Sequence, residues 1–144
     1  MFDLYQHLSN ILVDDSYIKK TYRSTGLVKI EELLNNVRQT VFPCVVAEVG
    51  ADGWFDFLDA NNATSVQNFY VLDNCNDREI AKIDLILQQT MIKGREILRQ
   101  MQAKSTEYGS ECYGIDFSRV DFAKVGPLGL NCYGYTFTIN IIEQ

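Results

Sequence analysis

The longest periodic stretch of the sequence runs from residue 76 to residue 103 and reads NDREIAKIDLILQQTMIKGREILRQMQA. Its apolar residues recur every three or four positions, which is the spacing of one face of an α-helix. Asn76 followed by Glu79 is typical of a capping box, so we expect the helix to begin there. Gly94 lies on the apolar face, where a close approach of a sheet would offset the poor helix propensity of glycine. The stretch therefore predicts a helix of about 40 Å packed across a sheet.

Two shorter helices are predicted towards the N-terminus. Apolar residues at helical spacing in residues 3–13, and again in residues 29–40, would each form one buried stripe. Residues 14–26 between them are polar, and we expect a loop there. Pro43 ends the second helix, because proline cannot continue one.

Three strands are predicted between the second helix and the long helix, over residues 43–49, 54–58 and 66–73. These segments are rich in β-branched and aromatic residues. The connections between them are short, and residues 50–53 carry two glycines typical of a turn. Short connections favour antiparallel neighbours, so we predict a β-meander.

Two more strands are predicted after the long helix. The first covers residues 117–125 and is interrupted by the Gly-Pro-Leu-Gly run at residues 126–129. In the second, aromatic and aliphatic residues alternate with polar ones over residues 135–141. The predicted order is α-α-β-β-β-α-β-β. The fold class is thus α+β, one domain over residues 1–144, with about five strands in an antiparallel or mixed sheet and helices on one face.

Composition restricts the possible partners. The 144 residues carry a net charge of −6, which suits nucleic-acid binding poorly because phosphate contacts need lysine and arginine. We interpret the small basic cluster Lys19, Lys20 and Arg23 as solvated surface. The sequence has no apolar run long enough to span a membrane, and its first residues do not resemble a signal peptide.

Residues that could carry chemistry are sparse. His7 is the single histidine and is distant in sequence from all four cysteines, so we expect it to be exposed or to cap a helix. No two cysteines have Cys-x-x-Cys spacing, and we expect buried free thiols. Residues 73–79 are rich in oxygen ligands, but they do not match a calcium loop, and the helix cap explains them. We therefore predict no catalytic residue, no cofactor and no metal site.

The aromatic run Trp54, Phe55 and Phe57 permits two interpretations. It could be a platform for a ligand, or it could contribute to the core, which is the interpretation that we favour. Side chains alternate along a strand, so Trp54 should point away from Phe55 and Phe57, and one of the two sets would then be exposed. Exposed aromatic residues favour contacts between proteins.

Five residues are candidates for an interface between subunits. Leu85 and Ile92 lie off the main stripe of the long helix, seven residues apart. They could contact another subunit or widen the buried face. The remaining candidates are Trp54 on its strand and Tyr108 and Tyr113 in the glycine-flanked loop that follows the helix.

Most of the chain from about residue 28 onward resembles the tail-terminator, tail-completion and neck proteins of tailed bacteriophages and prophages. The segments that carry the resemblance are residues 42–48 (FPCVVAE), residues 69–73 (FYVLD), the helix of residues 77–103 and residues 131–139 (NCYGYTFTI). The resemblance implies a structural subunit, not an enzyme. Such subunits form rings, commonly hexameric and in some relatives dodecameric.

The same resemblance implies the partners and the place of action. The partners would be further copies of the chain together with tail-tube, neck or portal proteins. DNA would pass through the ring without sequence-specific binding. The expected location is the virion, after synthesis in the host cytoplasm. Two other hypotheses remain open, namely a small bacterial α+β module that binds a peptide or small molecule against the aromatic strand, and an enzyme that uses scattered carboxylates.

Overall fold

The computed structural model describes residues 2–25, 27–35, 40–48, 50, 52–56, 62–113, 115, 117–129 and 131–143. Three helices and six strands lie within these ranges. In chain order they are α1 (Leu4–Ile11), β1 (Lys20–Ser24), α2 (Leu27–Asn35), β2 (Cys44–Glu48), β3 (Asp52–Asp56), β4 (Asn62–Asn74), α3 (Ile80–Lys104), β5 (Val120–Leu128) and β6 (Cys132–Glu143).

The strands form one mixed six-stranded sheet in the order β1-β2-β4-β6-β5, and β3 also pairs with β4. Only β1 and β2 run parallel among the described strand pairs. The predicted α+β class, with one long helix across a mixed sheet, is confirmed. The predicted order lacked β1, and the sheet has one strand more than expected.

Strand β4 organises the sheet because it is 13 residues long. It pairs with β6 along one side, from Ala63 opposite Glu143 to Asn74 opposite Cys132. Its other side holds two strands end to end, since β2 pairs with residues 69–72 and β3 with residues 62–66. The predicted meander is therefore wrong, because β2 and β3 each pair with β4, and none of the described strand pairs joins β2 to β3.

Helices cover both faces of the sheet, although helices on one face were predicted. Alternation along β4 places Phe69 and Val71 on one face, under α1 and α3, and Tyr70 and Leu72 on the other face, under α2. The first face holds the larger core. The second core is smaller and contains two residues of α2 with five of the sheet, namely Ile30, Leu34, Cys44, Val46, Tyr70, Leu72 and Cys132.

Strand β1 replaces part of the predicted loop of residues 14–26. Its sequence, Lys-Thr-Tyr-Arg-Ser, has no apolar alternation because it lies at the sheet edge and is mostly accessible to solvent. Backbone pairing with β2 forms it, from Lys20 opposite Cys44 to Ser24 opposite Glu48. The guanidinium of Arg23 lies 4.9 Å from the ring centroid of Tyr5, so this basic residue also packs against α1.

The predicted capping box at the start of the long helix is wrong. Helix α3 begins at Ile80 with Glu79 as its N-cap, and no side chain caps it. Arg78 has a positive φ of 54°, which breaks the helical path between Asn76 and the first turn. Asp77 instead accepts hydrogen bonds from the Cys75 thiol and from Lys82. In the oxygen-rich segment of residues 73–79, the Asp77 carboxylate is thus engaged in local hydrogen bonds.

Other boundaries differ by a few residues. Helix α1 is shorter than predicted, and Asp3 is its N-cap, with its carboxylate accepting from the Gln6 amide. Helix α2 ends at Asn35, and Thr40 lies outside it. Strand β5 continues through the Gly126-Pro127 step with a shift of register instead of ending there. The predicted positions 36–39, 49, 57 and 58 lie outside the described residues.

The predicted close approach at Gly94 is confirmed. A Cβ atom built on Gly94 would lie 2.1 Å from Cζ of Phe137 on β6, far inside van der Waals contact. The glycine thus lets the backbone of α3 rest on the aromatic ring in the larger core.

We expect Gly94→Ala to lower the free energy of unfolding by about 1–3 kcal/mol, which is the usual cost of overpacking a core. Alanine favours a helix by about 1 kcal/mol over glycine, so a loss would show that the clash outweighs propensity. Chemical unfolding followed by circular dichroism measures it. Adding Phe137→Leu to Gly94→Ala should recover part of the loss. A stabilised Gly94→Ala variant would contradict the packing described here.

Candidate functional site: exposed apolar surfaces and a buried histidine cluster

Strand β3 exposes aromatic side chains on both of its faces. Trp54 is 56% exposed and Phe55 is 68% exposed. The expectation that one of the two sets packs in the core is therefore wrong for these residues, and Phe57 lies outside the described residues. Gly53 permits the close pairing with β4, because its Cβ would lie 2.0 Å from the carbonyl oxygen of Thr64. We call the paired strands β3 and β4, over residues 52–56 and 62–66, the aromatic ribbon.

Leu85 and Ile92 are both exposed on the outer side of α3, so they do not widen its buried face. Ile92 is 66% exposed and borders a cavity of about 220 Å³. Ile80, the first apolar residue of the periodic stretch, is also exposed, whereas Ile86 is buried. The buried face of α3 therefore begins after its first turn and consists of Ile86, Thr90, Lys93, Gly94, Ile97 and Met101.

Tyr108 and Tyr113 form an exposed pair in the segment after α3. Their ring centroids are 5.5 Å apart at an interplanar angle of 76°, an edge-to-face contact. Tyr108 also borders a cavity of about 400 Å³, whose lining includes Lys104, Glu107 and Glu111. The structure therefore leaves all five predicted interface residues exposed, in three separate places.

The expectation that His7 is exposed or caps a helix is wrong, because its side chain is buried and the caps of α1 are Asp3 and Leu12. The ring is buried between α1 and the segment after α3, with Nδ1 2.8 Å from Oε2 of Glu111 and Nε2 3.3 Å from Sγ of Cys112. A carboxylate only accepts hydrogen bonds, so Nδ1 donates to Glu111, and in a neutral ring Nε2 accepts from the thiol. More than a hundred residues separate these partners in sequence, so only the fold brings them together.

A histidine between a thiol and a carboxylate is also the arrangement of a nucleophile, its base and an orienting group. Here Cys112 is fully buried. Burial, and then the neighbouring Glu111 carboxylate, raise the pKa of the Cys112 thiol to about 11, which leaves very little thiolate at neutral pH. The cluster therefore fits a structural tie that holds the Tyr108 segment against α1.

All four cysteines are free and buried. Burial raises the pKa of Cys44 above its ordinary value and that of Cys132 to about 12, in each case with a smaller effect from Asp73. We expect the native protein to react very slowly with a thiol reagent such as DTNB at neutral pH, and the unfolded protein to react at four thiols per chain. Rapid native labelling at Cys112 would show that the cluster opens.

A buried ion pair lies under the middle of α3. Nζ of Lys93 contacts the carboxylate of Asp15, and both side chains are largely inaccessible, at 7% and 12% exposed. Asp15 also accepts hydrogen bonds from the backbone amides of Tyr17 and Ile18. The sequence pattern did not select Lys93, because a lysine next to the apolar stripe is usually solvated.

Comparisons with protein families and with curated proteins do not assign this chain to a family. No protein-family model matches the chain, and no curated protein matches it significantly. Within the described ranges, no three His, Cys, Asp or Glu residues are grouped so that they could hold a metal ion. No described helix combines the length and the apolar character needed to cross a membrane.

Proposed function

We propose that this protein is a structural subunit of a tailed-phage virion and assembles into a ring at the tail end or neck, as a tail terminator or a head–tail completion protein. The resemblance of residues 42–48, 69–73, 77–103 and 131–139 supports this proposal. The observation that carries it is the exposure of apolar side chains at separate places on one small chain, which suits head-to-tail contacts between copies.

The distribution of these side chains supports a ring over a two-fold dimer. A dimer with two-fold symmetry needs one self-complementary patch, whereas a ring needs two different patches that meet. Strand β3, with Trp54 and Phe55, lies beside β4, on the side away from β6. Ile92 lies on α3, and Tyr108 lies beyond the end of that helix.

Mass photometry and size-exclusion chromatography with light scattering test the proposal. We expect a closed oligomer, alone at micromolar concentration or after addition of purified tail tubes, and negative-stain electron microscopy should show rings. A chain that remains monomeric under both conditions, and does not bind tubes, would refute the proposal. Tail-tube or portal genes next to its own gene would support it independently.

A small-molecule or peptide-binding module is the second candidate function. The cavity of about 400 Å³ beside His7 and Tyr108 favours it, because its size is typical of small-ligand sites. A thermal-shift screen tests this alternative. A ligand that raises the melting temperature of the wild type, but not that of a Lys104→Ala variant, would support binding in this cavity.

A further inference from the structure

A narrow groove lies at the opposite edge of the sheet from the aromatic ribbon. It has a volume of about 170 Å³ and lies between the second half of α3 and the start of β5. Three apolar side chains form its floor, all of them partly buried and packed against the larger core, namely Leu98, Phe117 and Val120. Arg95 and Arg99 border it, one helical turn apart, together with Gln102. We call this site the arginine groove.

The two arginines of the groove are both exposed, and neither forms an ion pair with another residue in the described part of the protein. Like charges four residues apart on a helix repel each other. By contrast, Arg119 next to the groove pairs with Asp121 at 3.1 Å. In a chain with a net charge of −6, two such guanidinium groups above an apolar floor suit a carboxylate that accompanies an aromatic ring.

The aromatic ribbon of the same chain carries this combination. Asp52 and Trp54 are two residues apart on β3, so both side chains point to the same face of the strand, and both are exposed. Pairing with β4, from Asp52 opposite Val66 to Asp56 opposite Asn62, holds their backbone. Asp52 makes no ion pair with any residue that the structure describes.

The sheet topology places the aromatic residues of β3 and the arginine groove too far apart to meet within one chain, so a contact between them would join two copies. Strand β3 pairs with the side of β4 that faces away from β6, and β5 pairs with the opposite side of β6. Strands β4 and β6 therefore separate β3, which carries Asp52 and Trp54, from the arginine groove beside β5 within one chain. Two complementary patches at opposite edges of a subunit produce a head-to-tail contact, which closes into a ring if the rotation permits.

We propose that the aromatic ribbon of one copy docks in the arginine groove of the next, with Trp54 on the apolar floor between Arg95 and Arg99 and with the Asp52 carboxylate paired to a guanidinium. This inference rests on the proposed ring function and names its interface. Tryptophan and arginine are the residues that most often dominate the binding energy of an interface, and the small groove suits one aromatic side chain.

Charge exchange between Asp52 and Arg99 provides the first test. We expect Trp54→Ala, Asp52→Arg and Arg99→Asp each to raise the dissociation constant for assembly at least about tenfold. The double variant Asp52→Arg/Arg99→Asp should recover most of the affinity, which a misfolded variant cannot do. Lys124→Glu reverses a charge on exposed β5 outside the groove and serves as the matched control. Assembly would be measured by mass photometry, on tail tubes if the chain assembles only there.

Cross-linking provides a second test that keeps Trp54 and the apolar floor intact. Thr64→Cys, at the position opposite Trp54 in the β3–β4 pair, and Gln102→Cys, at the border of the groove, are prepared separately and mixed. A bis-maleimide should link the two variants only in the mixture. Background should be low because the four native thiols are buried. If the wild type assembles while Trp54→Ala assembles equally well and no cross-link forms, this interface is wrong and the ring function stands. If the wild type fails to assemble in any condition, both proposals fail.

Discussion

Phe137→Ala should lower the free energy of unfolding by about 3–5 kcal/mol, as expected for truncation of a large core side chain. Phe137 is fully enclosed, and its ring stacks on that of Phe69 with centroids 5.3 Å apart. Gly94 of α3 lies directly against the same ring. Strand β6 is paired on both sides, so the backbone cannot easily close the resulting cavity. Urea unfolding followed by far-ultraviolet circular dichroism measures the loss.

The chain contains a matched control for this substitution. Phe122 is the cross-strand partner of Phe137 in the β5–β6 pair, but it is 62% exposed and forms an edge-to-face contact with the Tyr135 ring. Phe122→Ala removes the same atoms at a site where water replaces them, and we expect a loss of about 1 kcal/mol or less. Equal losses at the two positions would show that the β5–β6 pairing, and not the core under α3, sets the stability.

Asp15→Ala should also lower the free energy of unfolding by about 3–5 kcal/mol, as much as Phe137→Ala, because it leaves the ammonium of Lys93 buried without its closest partner. Glu96 lies 3.3 Å from the same Nζ, but its side chain is about half exposed and its effect is screened. The substitution also removes the acceptor for the amides of Tyr17 and Ile18. Equilibrium unfolding in urea at neutral pH provides the measurement.

A double variant separates the lost charge pair from the other effects. Asp15→Asn/Lys93→Met removes both charges, so no unpaired ion is buried, and we expect it to be more stable than Asp15→Ala. The Asp15→Asn change also keeps a side-chain oxygen that can accept from the two backbone amides. A double variant that is no more stable than Asp15→Ala would mean that the ammonium reaches water in the single variant.

The same pair predicts how stability depends on pH. Burial alone would raise the pKa of Asp15, but hydrogen bonds from Lys93 and from the amides of Ile18 and Tyr17 outweigh it, and the net pKa lies below its ordinary value of 3.8. A lowered folded pKa adds stability that is present above the unfolded pKa and is lost as the pH falls through the folded pKa. We expect Lys93→Met to flatten the loss of stability below about pH 4.

Local patterns in the sequence were sufficient to predict the most regular elements of the fold. The long helix follows from apolar spacing in residues 80–101, and alternation in residues 135–141 places Phe137, Ile139 and Ile141 in the core, where they are found. The role of Gly94 follows from its position on the apolar face. In each case the information lies within one turn or one strand, so neighbouring residues are enough.

Features that depend on distant partners could not be read in this way. Strand β1 has no apolar alternation and exists because β2 offers it a backbone edge. The capping box at Asn76 failed because Arg78 adopts a positive φ in the turn before α3. The exposure of Trp54 together with Phe55 accompanies the position of β3, which among the described strands pairs with β4.

The features of the candidate site also fall into those that local sequence could predict and those that required the fold. Residue types and spacing were enough to select Trp54, Leu85, Ile92, Tyr108 and Tyr113 as interface candidates. They left open whether Leu85 and Ile92 widen the buried face and which side of the Trp54 strand packs in the core, and only the fold shows that these side chains are exposed. The arginine groove needed the fold, since Phe117 and Val120 reach α3 only after the chain has passed the Tyr108 segment. The His7 cluster and the Lys93–Asp15 pair also join residues far apart in sequence. Short-range periodicity predicts which face of a helix or strand is apolar and faces the core. Which polar groups meet depends on how segments that are distant in sequence pack together, and only the tertiary structure decides that.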